Sequence, residues 1–457
     1  MPGLPDLLKM RAYFESGATR PQAFRRQQLK KLRDAVKEYA GAFEAALYTD
    51  LKKSPEETWA TETGFLLSGI NNQLKHLSTW MEPVTVPTNL LNLPSKSFIL
   101  PEPLGVVLII GPWNYPLQLL FTPLAGAMAA GNCVVLKASE FAPATAAVMQ
   151  ELIEKNFSKE YILFTDEEGQ TVIPRMMENF RFDHVFYTGS TTVGRIIYKM
   201  AADKLVPVTL ELGGKSPCIV EADANIKVAA KRIAMSKFSN AGQMCVAPDY
   251  VLVHASKKEA LIAAFKEALQ QFFGADAETS GEFGKIINEK QFDRLVQYLQ
   301  QGNILVGGGH NRERLHIAPT ILDNISLDAP VMQEEIFGPV LPILTFETAE
   351  DAKKIIAANP NPLAFYVFTS DNNKEKQWLN DVPFGGGCVN NTAIHLLNHN
   401  LPFGGRGASG SGAYHGKYTF DTFSHQKSIL RSPTWFDPVM KYPPFKGKLK
   451  ILKWLIK

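Results

Sequence analysis

Apolar positions recur at helical spacing through residues 1–80. In RRQQLKKLRDAVKEYAGAFEAALYTDL, Leu29, Leu32 and Val36 share one face with charges between them, which predicts helices. MEPVTVPTNLLNLPSKSFILPEP, rich in Pro and Asn, ends that pattern and predicts extended chain, a small sheet arm or linker. From Leu104 short, continuous apolar runs take over, as strands buried on both faces would show. LGVVLII (104–110) predicts such a strand, broken by GPWNYP. LQLLFTPLAGAMAAG predicts a helix ending at Gly131, and CVVLKAS a second strand. APATAAVMQELIEKN predicts a helix with Pro143 in its first turn. YILFT and HVFYTGS predict two more strands, and TTVGRIIYKMAADK a helix. From Val206 a second series begins: VPVTLEL, SPCIVE, DYVLVHA and GPVLPILTF, with helices such as KKEALIAAFKEALQQFF between. Residues 401–416 read as ordered, Gly-rich loop.

Alternating strands and helices predict an α/β fold with ligand loops at the strand C-terminal ends. At 457 residues the chain exceeds one ordinary core, so two α/β domains are expected. A net charge of +3, with acids and bases mixed, argues against a nucleic-acid binder. The start has no apolar signal core, and no apolar run has transmembrane length. The four cysteines are far apart, without metal-ligand or CxxC spacing. No metal site is expected, and a reducing, cytoplasmic setting is.

Several short stretches could carry chemistry. NAGQMCVAPDY sets Cys245 among small residues, as a nucleophile or a buried structural thiol. LELGGKSP puts Glu211 at the end of an apolar strand. Partial burial there raises a carboxyl toward the working range of a general base, while a paired structural Glu reads equally well. YTGSTTVG opens a helix after a strand, so Gly189 and the free amides beside it suit a phosphate. LKASE places Lys137 and Glu140 at a strand end, as ribose contacts or a solvated turn. EEIFGP brings Glu335 and Phe337 together, as contacts for a ribose and a flat ring or as a charged turn with a core Phe. The one GxGxxG, Gly405–Gly410, follows no buried strand and opens no helix, so it is read as loop.

Together, GPWNYP, LKASE, FYTGSTTVG, LELGGKSP, GQMC, EEIFGP and LPFGG resemble the aldehyde dehydrogenase superfamily, in family order and over nearly the whole chain. GQMCVAPDY, the closing GAYHGKYTFDTFSH and the short N-terminus look like its class 3 branch of fatty and aromatic aldehyde dehydrogenases. The resemblance implies two Rossmann-like α/β domains and a small β oligomerisation arm. It makes 1–82 and 104–207 an NAD(P)-binding domain, 208–395 a catalytic domain, 83–103 and 396–430 the arm, and 431–457 a basic amphipathic tail.

It also implies residue roles. Cys245 matches the nucleophile, Glu211 the general base, and Asn114 the oxyanion-hole amide with the Cys245 N–H. Lys137 and Glu140 match adenosine-ribose contacts, and Gly189, Ser190 and the helix carrying Gly194 the pyrophosphate region. Glu335 matches the nicotinamide-ribose contact, and Phe337 supports the nicotinamide. Phe65, Tyr115, Met235 and Met244 match the aldehyde tunnel, whose apolar character favours medium- or long-chain or aromatic aldehydes. Glu140 favours NAD, with NADP use open. Three departures stand out: Ala138 where Pro is usual, Arg406 where a small apolar residue is usual, and Ala241 where some relatives carry a second cysteine. The implied partners are an aldehyde and a second copy of the chain.

KYPPFKGKLKILKWLIK carries six lysines and no acid. A helix would align Lys446, Lys450, Lys453 and Lys457, which suits an anionic membrane surface. A helix packed on a dimer partner over the substrate entrance fits equally well. Two other functions remain open at this point: a cofactor-free thiol hydrolase or thioesterase built on Cys245, and a catalytically silent structural homologue.

Overall fold

The continuous apolar runs become strands buried on both faces. In the computed structural model, which describes residues 3–456, Val106–Ile110, Cys133–Lys137 and His184–Thr188 are buried along their whole length. They centre a six-stranded sheet in the order Gly410–Ser411, Val208–Glu211, His184–Thr188, Val106–Ile110, Cys133–Lys137, Ile162–Thr165. All pairs are parallel except Gly410–Ser411, which runs antiparallel to Val208–Glu211. Helix Pro116–Ala130 is buried on every side, so its sequence shows no polar stripe. It ends at Gly131 with φ 94, where a Cβ would fall 2.6 Å from the Arg25 guanidinium. The predicted N-terminal helices are present, and Leu29, Leu32 and Val36 are fully buried.

A second sheet has seven strands in the order Asn303–Val306, Thr320–Asp323, Val340–Phe346, Tyr250–His254, Pro217–Val220, Ala364–Phe368, Gly386–Val389. Only its first pair is antiparallel. A third, antiparallel sheet joins Val84–Val86, Lys96–Pro103 and Ser424–Arg431. The chain is thus α/β with two mostly parallel sheets, as expected.

Three local expectations are corrected. Val208–Glu211, grouped above with the second series, pairs with His184–Thr188 in the first sheet. A buried parallel strand carries no residue pattern that says which sheet it joins. Residues 401–416 are not all loop: Gly410–Ser411 is a short edge strand beside Glu211. In the tail, the helix spans only Leu449–Leu455. Pro443 and Pro444 lie before it and Gly447 takes φ 85, so Lys446 falls off the helix. Lys457 lies outside the described residues.

Candidate active site

The Cys245 loop begins where helix Ile226–Phe238 ends, and its backbone is strained. Asn240, Ala241 and Gly242 take φ of 48, 50 and 76 in succession. Such left-handed residues cost about 1 kcal/mol or more each unless glycine. Gly242 is obligatory, since a Cβ there would lie 2.2 Å from the Gly338 carbonyl. Side-chain amides hold the loop. Gln243 Nε2 donates to the carbonyls of Asn240 (3.0 Å) and Lys285 (2.9 Å), and its Oε1 accepts the Ile287 N–H at 3.0 Å. Glu57 accepts the Asn240 N–H at 2.7 Å. The result presents a half-buried Cys245 at a fixed point.

Glu211 ends its strand with its backbone tied on both sides. Its carbonyl accepts the Gly189 N–H at 3.0 Å, and it stands opposite Gly410 across the antiparallel pair. Its side chain is 2% exposed and neither oxygen has a hydrogen-bond partner. Burial raises this carboxyl well above the ordinary range. Gly404 leaves the room: a Cβ there would sit 3.2 Å from Glu211 Oε1. Burial also pushes the Cys245 thiol up to about 12, with Glu335 and Glu211 adding to it, while the N–H groups of Cys245 and Val246 pull the other way. The resting thiol is therefore protonated. Asn114 lies on the loop between strand Val106–Ile110 and helix Pro116–Ala130, and its Nδ2 donates to the Gln243 carbonyl at 3.0 Å.

The residues expected to contact a dinucleotide lie at strand ends of the first sheet and on the loop at Glu335. Lys137 is buried and pairs with Glu140 at 2.9 Å; Glu140 also accepts the Gly169 N–H at 3.1 Å. Burial works against the Glu140 charge, but Lys137 and the backbone N–H groups win and hold its carboxyl below the usual range. Gly189 and Gly194 are packing glycines: a Cβ on the first would meet the Tyr187 hydroxyl at 2.3 Å, and on the second Leu212 at 2.7 Å. The Gly189 amide is not free, since Glu211 takes it. Ser190 caps helix Thr191–Ala202 through Val193 N–H and is exposed. Gly213, two residues after Glu211, makes room for Glu335, whose Oε2 would lie 2.0 Å from a Cβ there. Glu335 Oε1 is buried without a partner. Phe337 sits at φ 50, edge-on to Trp113 at 5.3 Å.

A cavity of about 650 Å³ lies over Cys245. Phe65, Tyr115, Met235 and Met244 all line it; Phe65 and Tyr115 are buried, and Met235 is exposed at its mouth. Sequence reasoning missed Phe272, Phe273 and Leu397, which also line it. The two phenylalanines end helix Lys258–Phe273, and Leu397 ends the turn Ile394–Leu397. No motif marks them. Tyr414, in the quoted GAYHG stretch, lines the floor beside Glu211 and Cys245 and could have been found there. Glu56, Glu57 and Glu282 line the same cavity, with no Lys or Arg among its described lining residues.

Comparison with known proteins gives one consistent result. The family described as "Aldehyde dehydrogenase family" matches residues 8–429. The chain is 48% identical over 448 residues to 4,4'-diaponeurosporen-aldehyde dehydrogenase of Staphylococcus aureus, covering 97% of this chain and 96% of that one. It is 42% identical to aldehyde dehydrogenase family 3 member H1 of Arabidopsis thaliana, covering 98% and 93%. Among solved structures, the substrate-bound state of Staphylococcus aureus AldH superposes with a TM-score of 0.97 at 46% identity, covering all of both chains. Indole-3-acetaldehyde dehydrogenase complexed with NAD+ gives a TM-score of 0.83 at 28% identity, covering 94% and 88%.

Proposed function

The chain belongs to the aldehyde dehydrogenase family, and from that premise we propose that Cys245, Asn114 and Glu211 carry its oxidation of aldehydes to carboxylic acids with NAD(P). The observation that carries this assignment is one thiol on the wall of an apolar cavity, with a buried, unpartnered carboxyl, Glu211, close enough to raise it, and a buried amide, Asn114, bonded to the carbonyl two residues before it.

The sulfur of Cys245 adds to the aldehyde carbon as its proton is released to solvent, and a tetrahedral thiohemiacetal oxyanion forms. Asn114 Nδ2 leaves the Gln243 carbonyl and, with the Cys245 N–H, donates to that oxyanion. One such donor contributes about 3 kcal/mol. Bound NAD(P) supplies the acceptor for the hydride that this carbon loses. The resulting thioester on Cys245 is cleaved by water. Glu211 takes the proton of that water, the acid leaves, and the thiol is restored. A carboxyl raised by burial is the stronger base once it turns toward water.

The residues present fit the dinucleotide. The orphaned, buried Glu335 Oε1 is an acceptor that a nicotinamide-ribose hydroxyl would satisfy, and Phe337 beside it offers a flat support. Lys137 and Glu140 would hold the adenosine ribose, and Ser190 with the start of the helix through Gly194 the pyrophosphate, while Gly189, its amide taken by Glu211, would serve only by close packing of the turn. The six-stranded sheet side is thus the NAD(P)-binding part. Using NADP would require Glu140 to leave Lys137 and the Gly169 N–H, so NAD is favoured.

The preferred aldehydes are medium- or long-chain aliphatic or aromatic ones. The apolar cavity lining and the name of the Staphylococcus aureus relative support this. A homodimer through the edges of the three-stranded sheet, a cytoplasmic setting, and peripheral membrane contact through residues 431–457 complete the reading. For the last, the tail exposes Trp435, Leu449 and Trp454, and no helix of the described residues is long and apolar enough to cross a membrane. Stopped-flow NADH formation with Glu211→Gln tests the catalytic assignment. A burst of about one NADH per site followed by a stalled steady state is expected. A full steady-state rate overturns Glu211 as the base.

A further inference from the structure

A fully buried ion pair lies beneath the Asn114 turn and has no role in the steps above. Lys53 and Glu62 are both 0% exposed, with Nζ 2.6 Å from Oε1. Each charge has a second contact. Lys53 Nζ donates to the backbone carbonyl of Asn114 at 3.0 Å and lies 3.9 Å from the centroid of the Tyr115 ring. The other Glu62 oxygen accepts the Gln118 N–H at 2.8 Å, in the first turn of helix Pro116–Ala130. The pair therefore grips the chain on both sides of Tyr115 and Pro116. The Asn114 carbonyl also accepts from Asn240 Nδ2 at 2.8 Å, which ties the same turn to the nucleophile loop.

Glu62 reaches this place through an unusual backbone. Trp59–Thr63 forms a π-helical turn between helices Pro55–Thr58 and Gly64–Met81. Such turns are rare and cluster at functional sites. Here the turn leaves Ala60 and Thr61 on the cavity wall while Glu62 is wholly buried. Gly64 permits it, since a Cβ there would sit 2.6 Å from the Trp59 carbonyl.

Burying two charges is costly, and apolar side chains of similar volume are often as stable or more so. Stability alone does not account for the pair. We infer that Lys53 and Glu62 are positioning residues for Asn114: their ion pair fixes the Asn114 turn so that the side-chain amide meets the oxyanion on Cys245. This rests on the role proposed above for Asn114.

The test uses full-length enzyme. Lys53→Met and Glu62→Leu singly should each lower Tm, because each leaves a buried charge alone. The double variant removes both charges at similar volume, so Tm should recover. Its kcat should stay about 10- to 100-fold down, with KM for the aldehyde and Kd for NAD within about twofold. On an Asn114→Ala background the double substitution should lower kcat by less than about twofold, because the positioned group is gone. Recovery of full kcat together with Tm overturns the inference, and so does a loss that multiplies onto Asn114→Ala. Should the double variant fail to fold, the isosteric Glu62→Gln serves. A kcat loss that vanishes on Asn114→Ala supports the inference, and a loss independent of Asn114 overturns it. If Asn114→Ala itself keeps full kcat, the assignment of Asn114 has failed instead.

Discussion

The floor and the mouth of the cavity are built on opposite principles. The floor presents Cys245, with Glu211, Asn114 and Glu335 set around it, and each is fixed by named hydrogen bonds, a strand pairing or a close glycine. Its carboxyls are buried without full satisfaction, which stores chemical potential at a stability cost. The mouth holds Phe272, Phe273, Leu397 and Met235, apolar or aromatic groups on helix ends and a short turn, with acids at the rim. At the floor a misplaced atom abolishes a step. At the mouth a changed side chain only regrades which aldehydes enter.

The sharpest way to break this contrast is at the nucleophile. Cys245→Ser should lower kcat by about 10⁴-fold or more for every aldehyde, short or long, while NAD binding by calorimetry is unchanged. A loss confined to long aldehydes would mean that the floor also selects substrate. The second effect is on thiol reactivity without cofactor. With the thiol pushed up to about 12 by burial and then by Glu335 and Glu211, its thiolate fraction rises with pH across the whole accessible range. Alkylation by iodoacetamide should therefore accelerate about tenfold per pH unit from about pH 7 to about pH 9. A plateau in that range would show that the floor already favours the thiolate.

The mouth should answer in smaller steps. Phe272→Ala removes apolar contact from the outer part of the cavity, where only longer chains reach. At about 0.8 kcal/mol per buried methylene, kcat/KM for decanal should fall about 5- to 10-fold while propanal changes less than about twofold. Equal losses for both would place Phe272 in the floor's machinery. The same division governs what the sequence disclosed. Cys245, Glu211 and Asn114 stand in short contiguous motifs, because a strand end plus a glycine-shaped turn needs several neighbours in fixed order. Phe272 and Leu397 need only be apolar, so any helix end would read the same. Lys53 and Glu62 were illegible for another reason: two charges in a helical stretch read as solvated, whereas the π-turn at Trp59–Thr63 buries Glu62, and Lys53, in the short link before helix Pro55–Thr58, is buried against it. The membership of Val208–Glu211 in the first sheet was hidden likewise, since strand pairing is a long-range choice.

The smallest expected effect tests whether the floor's unsatisfied carboxyls really cost stability. Burial, aided by the charge of Asp249, raises Glu335 to about 8, with the Gly214 N–H and then Lys215 and Arg294 opposing. In the unfolded chain this carboxyl ionises near the ordinary glutamate value of about 4.3. Between those two values the folded state keeps a proton that the unfolded state has released. Stability from this group is thus full below the unfolded value, falls as pH rises between the two, and reaches its lowest level above about 8. Glu335→Gln keeps the shape and cannot ionise. Its Tm relative to the parent should therefore be higher at about pH 8.5 than at about pH 5, by about 1–3 °C for a chain of this size. The apoprotein is the form to measure, because a bound dinucleotide would satisfy Oε1 and mask the cost. A difference of the opposite sign would mean that the carboxylate form is the one the fold stabilises, and the floor would then resemble the paired, satisfied charges elsewhere in the molecule, such as Lys215 with Asp249.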